Sequence, residues 1–140
     1  MVEEQVVGDF LRPCYNLFIM GDILIAEDDK FLAKIYATKF KKIGLAVDIA
    51  EDGQAALDMM KKDKPKLLLL DLIMPKVDGF EVMQKMNADP ALKKIPVLVL
   101  SNLGQESDIE KAEKLGAKEF IIKSDMSIAE VVKKIQSHLK

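Results

Sequence analysis

Four apolar runs in this chain stop abruptly at polar residues. "ILIA" (Ile23 to Ala26) runs into Glu27, Asp28 and Asp29, and "LLLL" (Leu67 to Leu70) runs into Asp71. "VLVL" ends at Ser101 and "FII" at Lys123. If these ends share one edge, they assemble two or three carboxylates, a hydroxyl and an ammonium. Two carboxylates about 4 Å apart repel by roughly 4 kcal/mol at an effective dielectric of about 20, so the set requires counter-charge. Lys123 supplies one positive charge and a divalent cation would supply the rest. Oxygen-only donors with open positions suit Mg2+, which keeps several waters and tends to share its site with a phosphate. No His or Cys is close in sequence to these positions, which disfavours zinc. A carboxylate is also a nucleophile towards phosphorus, giving an acyl phosphate. Phosphoryl transfer needs mainly positioning and charge neutralisation. The set therefore suits acceptance of a phosphoryl group on Asp71.

The elements that must hold these residues follow from the punctuation after Gly21. "ILIAE" has strand length, and "KFLAKIYATKFKKIG" places Leu32, Ile35, Tyr36, Phe40 and Ile43 at helical spacing before a stop at Gly44. "LAVDIA" and "GQAALDMMKKD" form a second strand–helix pair, and "KLLLL" and "GFEVMQKMNAD" a third. "IPVLVL" and "QESDIEKAEKLG" form a fourth; "KEFII" and "SIAEVVKKIQSHL" complete a fifth, with Ser127 as a helix cap. The strands are mostly continuous apolar runs, as expected when helices cover both faces of a parallel sheet. In such sheets ligands sit beyond the carboxyl ends of the strands, where strand order reverses. That is where Glu27, Asp28, Asp71, Ser101 and Lys123 fall.

Composition narrows the class. With 49% hydrophobic and 31% charged residues over 140 positions, the chain is globular and long enough for one domain with a core. A net charge of −2 argues against direct contact with nucleic acid. The single cysteine, Cys14, excludes an internal disulfide and fits a reducing compartment. No apolar run reaches the roughly 18 residues of a membrane span. The acidic N-terminus, broken at Arg12-Pro13, fails as a signal peptide. A cytoplasmic location and no membrane insertion are the expectations.

"ILIAEDD", "LLLLDLIMPKVDG", "LVLSN" and "FIIK", in this order and spacing, resemble the receiver domain of bacterial two-component response regulators. The resemblance covers about residues 21 to 139. It implies an α/β, flavodoxin-like, doubly wound sheet of five parallel strands in the order 2-1-3-4-5, with five helices. It makes Asp71 the phosphoacceptor, assisted by Lys123 and Ser101. It implies a Mg2+ site from Glu27, Asp28, Asp71 and the backbone carbonyl of Ile73. Ser101 and Phe120 become the switch pair, and Met74-Pro75 and Gly79 the loop shaping the site. The implied partners are a histidine kinase or phosphotransfer protein and a downstream protein target. Chemistry is limited to the domain's own phosphorylation and dephosphorylation.

Departures accompany the match. Ser124 follows Lys123 where the family usually has a cis proline. A cis bond before serine costs about 2.5–4 kcal/mol, so a trans bond is expected. Asn102 is larger than the residue many receivers carry there, and Ile73 is apolar at an often polar position. Both bear on the lifetime of the phosphorylated state.

Plainer roles suit several residues. Asp29 reads better as the cap of the first helix than as a third ligand. Asp78-Gly79 reads as a turn and helix start, and Met59, Met60, Met83 and Met86 as packing residues. His138 and "KKDKPK" read as solvated. Phe31 and Met126 are surface candidates for a kinase contact.

Residues 1–20 lie outside the resemblance, leaving 21–140 as the receiver. "FLRPCYNLFIM" suits a short docking helix, an interaction segment, or an extension upstream of a start at Met20. No sequence follows Lys140, so output is expected through protein binding or onward phosphoryl transfer. The alternative is a pseudo-receiver that binds proteins without phosphorylation. A flavin or dinucleotide site would want a Gly-rich turn where the chain has "EDDKF". A haloacid-dehalogenase-type hydrolase would want an aspartate at Ile73.

Overall fold

The apolar runs become the strands. A computed structural model of the protein describes Glu4–Val7, Phe10–Pro13 and residues 21–139. Strands β1 (Glu4–Val7) and β2 (Phe10–Pro13) pair antiparallel. Then β3 (Ile23–Ala26), α1 (Lys30–Lys42), β4 (Val47–Ala50), α2 (Gly53–Lys62), β5 (Leu67–Leu70) and α3 (Gly79–Asn87) alternate. They are followed by β6 (Val97–Ser101), α4 (Glu106–Lys114), β7 (Glu119–Ile122), a 3-10 turn (Lys123–Asp125) and α5 (Ile128–His138). The main sheet runs β4-β3-β5-β6-β7 with every neighbour parallel, which is 2-1-3-4-5 counted from β3.

The sheet divides the core in two. Leu24, Ala26, Leu68, Leu70, Val97 and Val99 face the cluster completed by Leu57 and Met60 of α2 and Val82 and Met83 of α3. Ile23, Ile25, Leu67, Leu69, Leu98 and Leu100 face Phe40 of α1 and Val131 and Ile135 of α5. Each strand contributes to both clusters because successive side chains alternate faces. The residues ending the strands are thereby held at a rigid edge.

The caps agree with the sequence. Asp29 accepts the Phe31 and Leu32 N–H groups, Asp78 accepts that of Glu81, and Ser127 forms a capping box with Glu130. Helix α1 differs in detail. It buries Ala33, Tyr36, Ala37 and Phe40, while Ile43 is 42% exposed. Small residues let its axis lie close to the sheet, which a count of large apolar positions does not register.

Phe10–Pro13, where a short docking helix was one of the expectations, is a strand. The register Val7↔Phe10 leaves two residues, Gly8 and Asp9, between β1 and β2. Val6-Val7 and Phe10-Leu11 suit paired strands. Residues 14–20 lie outside the described residues.

Candidate functional site

From β3 the chain moves to β4 on one side and β5 on the other, so strand order reverses at the β3–β5 boundary. The Glu27 N–H continues the ladder to the Ala50 carbonyl, and the Asp71 N–H donates to the Ala26 carbonyl at 3.0 Å. Both acids are thus anchored by backbone one residue past their strands. Both are buried, whereas Asp28 is exposed.

Lys123 joins them. Its Nζ donates to Glu27 Oε1 at 2.6 Å and to Asp71 Oδ2 at 3.1 Å, with only 15% of the lysine side chain exposed. Asp71 Oδ1 accepts the Ile73 N–H at 3.3 Å, and Glu27 Oε2 accepts the Asp29 N–H at 3.2 Å. Burial, partly offset by the Lys123 hydrogen bond and reinforced by the charge of Asp71, pushes the Glu27 carboxyl up to about 7. Burial pulls the Lys123 ammonium down, but the Glu27 hydrogen bond and the Asp71 charge outweigh it and the net direction is up. The lysine is therefore a firm cation between two acids.

Glu27, Asp28 and Asp71 can each present one oxygen such that all three lie within 4.8 Å of one another. Octahedral ligands at about 2.1 Å from a Mg2+ lie at most about 4.2 Å apart. At least two of the three ligand pairs in an octahedron are adjacent, about 3 Å apart, so the carboxylates would have to close in around an ion. The all-oxygen donor set suits a small hard divalent cation.

A family model described as the response regulator receiver domain matches residues 23–136, most of the chain. The chain belongs to the response regulator receiver family. A probable transcriptional regulator, ycf27, of Galdieria sulphuraria is 37% identical over 108 residues, covering 77% of this chain and 41% of that protein. The DNA-binding dual master transcriptional regulator RpaA of Synechocystis is 32% identical over 121 residues, covering 86% of this chain and 50% of that protein. The receiver thus spans about half the length, or less, of these relatives. The receiver domain of the Francisella response regulator 1452 superposes with a TM-score of 0.76 at 26% identity, covering 84% of this chain and 94% of that one. The Mn2+-bound form of response regulator Rcp1 superposes at 0.71 with 31% identity, covering 82% and 88%. This receiver is a two-component signal-transduction module, with the flavodoxin-like fold anticipated from its motifs. No described helix is long and apolar enough to cross a membrane.

Ser101 and Phe120, the expected switch pair, lie on β6 and β7. Ser101 is fully buried, and its hydroxyl accepts the Leu103 N–H at 3.3 Å without a hydrogen bond to the acids. Phe120 is half-buried against the α2–α3 side of the core. Ile73 is 55% exposed and Asn102 is exposed. Lys123–Ser124 is trans, as is every described peptide bond. Met60, Met83 and Met86 are buried packing residues. Phe31 is 77% exposed, but Met126 is half-buried against the α1–α5 cluster, leaving it less surface than expected. His138 is not simply solvated: its Nε2 lies 3.3 Å from Glu119.

Two features escaped the sequence. Tyr36 lies close enough for its hydroxyl, pushed up by burial, to feel the charges of Lys123 and Glu27; helical spacing alone marked it as core. The loop after Asp71 is clamped to α2. Lys76 adopts φ 66° and its ammonium lies 3.4 Å from Asp52. A Cβ on Gly53 would stand 1.9 Å from the Val77 carbonyl oxygen, and one on Gly79 would stand 2.5 Å from that of Asp71. A glycine directly after an aspartate was the available signal for both contacts, and it reads equally as an ordinary turn.

Proposed function

We propose that this receiver, taken as residues 21–140, is a phosphorylation-driven switch whose acceptor is Asp71. The observation carrying this reading is the pair of buried acids, Glu27 and Asp71, bridged by Lys123 at 2.6 and 3.1 Å. An Asp71 carboxylate oxygen attacks the phosphorus of a phosphohistidine on a kinase or phosphotransfer protein. The P–N bond breaks, and its electron pair returns to the imidazole of the donor. Glu27, Asp28, Asp71 and the Ile73 carbonyl would hold Mg2+, which supplies charge neutralisation for the incoming phosphoryl oxygens. The acidic cluster supports this, as does the Mn2+ bound by the similar regulator Rcp1.

Lys123 neutralises the acids beforehand and can then follow the phosphoryl group. Ser101, buried with only one weak backbone contact, is free to turn towards it, and Phe120 is then drawn inward. The new packing alters the face formed by α4, β7 and α5, through which a target protein is bound. In the longer relatives the equivalent switch serves proteins named as transcriptional regulators. Here output is proposed to pass through protein contact, with no nucleic-acid contact by these residues and a location inside the cytoplasm. Phe31, beside the site, is proposed to meet the phosphodonor.

The test is beryllofluoride binding followed by amide NMR in the presence and absence of Mg2+. Shifts at Ser101 and Phe120 that need Mg2+ and vanish in Asp71→Asn are expected. A wild-type spectrum unmoved by beryllofluoride and Mg2+ would sink the reading in favour of a phosphate-independent binding module.

A further inference from the structure

At the opposite edge of the sheet, where β6 begins, a cavity of about 370 Å³ opens between the C-terminal end of α3 and the turn from α4 to β7. Its walls include Met83, Met86, Ile95 and Leu115, the first three buried core residues. Lys93, Lys94 and Lys118 also line it, and no aspartate or glutamate does. The lysine–carboxylate ion pairs among the described residues involve Lys30, Lys66, Lys76, Lys85, Lys123 and Lys134, so these three ammonium groups have no carboxylate within 4.0 Å there. The volume falls within the range of about 300–1,000 Å³ of small-molecule sites, which combine apolar walls with a few polar groups.

We propose that this cavity binds a small organic anion with an apolar body, of the aryl or alkyl carboxylate class. The apolar body lies against Met83, Met86 and Leu115, and the carboxylate meets the lysines. Charge complementarity selects the occupant: concentrated positive charge beside an apolar floor favours a ligand with one anionic end. The site also has a structural consequence. Helix α4 buries only Ala112, whereas α1 buries four residues and α5 three. Leu115, which ends α4, is tied to α3 by its carbonyl, which accepts the Asn87 side-chain amide at 2.7 Å. The Lys111 ammonium of α4 also lies over the Phe80 ring of α3, 4.3 Å from its centroid. A ligand resting on Leu115 adds to these two ties and holds α4 in place.

The test is a 1H–15N NMR titration of the full chain with naphthalene-1-acetate, compared with the neutral alcohol 1-naphthalenemethanol. Saturable shifts at Gly116, Lys118 and the Asn87 side-chain amide are expected for the acid, with the alcohol about tenfold weaker. Lys94→Glu combined with Lys118→Glu changes two exposed residues, so the fold is retained. It should weaken the acid about tenfold while leaving the alcohol unaffected. Absence of shifts at the cavity, shifts confined to the Phe31 face, or equal affinity for acid and alcohol would overturn the proposal.

Discussion

Lys123, at the end of edge strand β7, places its ammonium 2.6 Å from Glu27, at the end of β3. Strands β5 and β6 lie between them in the sheet, a separation of three strand spacings or about 14 Å. The Lys123 and Glu27 side chains therefore reach towards each other across these strands, and the ammonium also meets Asp71 at 3.1 Å. The contact therefore reports the assembly of the whole edge, and it is where the acids find their counter-charge.

Replacing that lysine by a neutral side chain leaves two buried acids facing each other. Lys123→Met is expected to cost about 2 kcal/mol at pH 8 without divalent metal, somewhat below a fully buried pair because the edge is partly solvated. At pH 5 the cost should shrink, because Glu27 is then protonated and the repulsion is gone. Urea unfolding at the two pH values checks this, and an equal loss at both would contradict it.

The raised Glu27 carboxyl has its own signature. Its folded value of about 7 exceeds its ordinary 4.5, so the metal-free folded state holds the proton more tightly than the unfolded chain does. This group's contribution to stability is complete below pH 4.5 and is lost as the pH rises through about 7. A divalent cation must displace the same proton. Mg2+ affinity should thus rise with pH through this range, with proton release at pH 6 and almost none at pH 8.5. Calorimetry in buffers of different ionisation enthalpy measures the release, which Glu27→Gln should abolish. Release that is the same at both pH values would contradict the assignment.

The loop after Asp71 is held by a close approach and carries a strained residue. Gly53→Ala sets a Cβ against the Val77 carbonyl at 1.9 Å and is expected to destabilise by about 3 kcal/mol. Lys76→Gly should act oppositely. It relieves a left-handed φ of 66° at a non-glycine residue and gives about 1 kcal/mol, losing an ion pair with Asp52 whose lysine side is exposed. Thermal or urea unfolding of both variants decides the matter; a harmless Gly53→Ala would mean that the loop yields easily.

The strand ends were legible because a sheet covered on both faces makes its strands uniformly apolar, so Asp71 and Lys123 stand out as the first polar residues. Order and spacing supplied the topology. Several details depend on three-dimensional distances that no periodicity encodes. Ala33 and Ala37 are buried in the core, whereas Ile35 is half-buried and Ile43 is exposed. His138 meets Glu119 across α5 and β7, a contact between residues 19 apart in sequence. Met126 sits in a loop, yet it folds back onto the α1–α5 cluster. The close approach of Gly53 to Val77 shows in the sequence only as a glycine after an aspartate. Strands Glu4–Val7 and Phe10–Pro13 were not anticipated, because their apolar pairs are too short for a period to show.

Asp71 is proposed to accept a phosphoryl group at this lysine-bridged edge. Intact mass after incubation with Mg2+ and acetyl phosphate measures it directly, with Asp71→Asn and a metal-free sample alongside. A single phosphoryl addition in the wild type, absent from both controls, is the expected result. An unmodified wild-type chain, or equal modification of Asp71→Asn, would contradict the account.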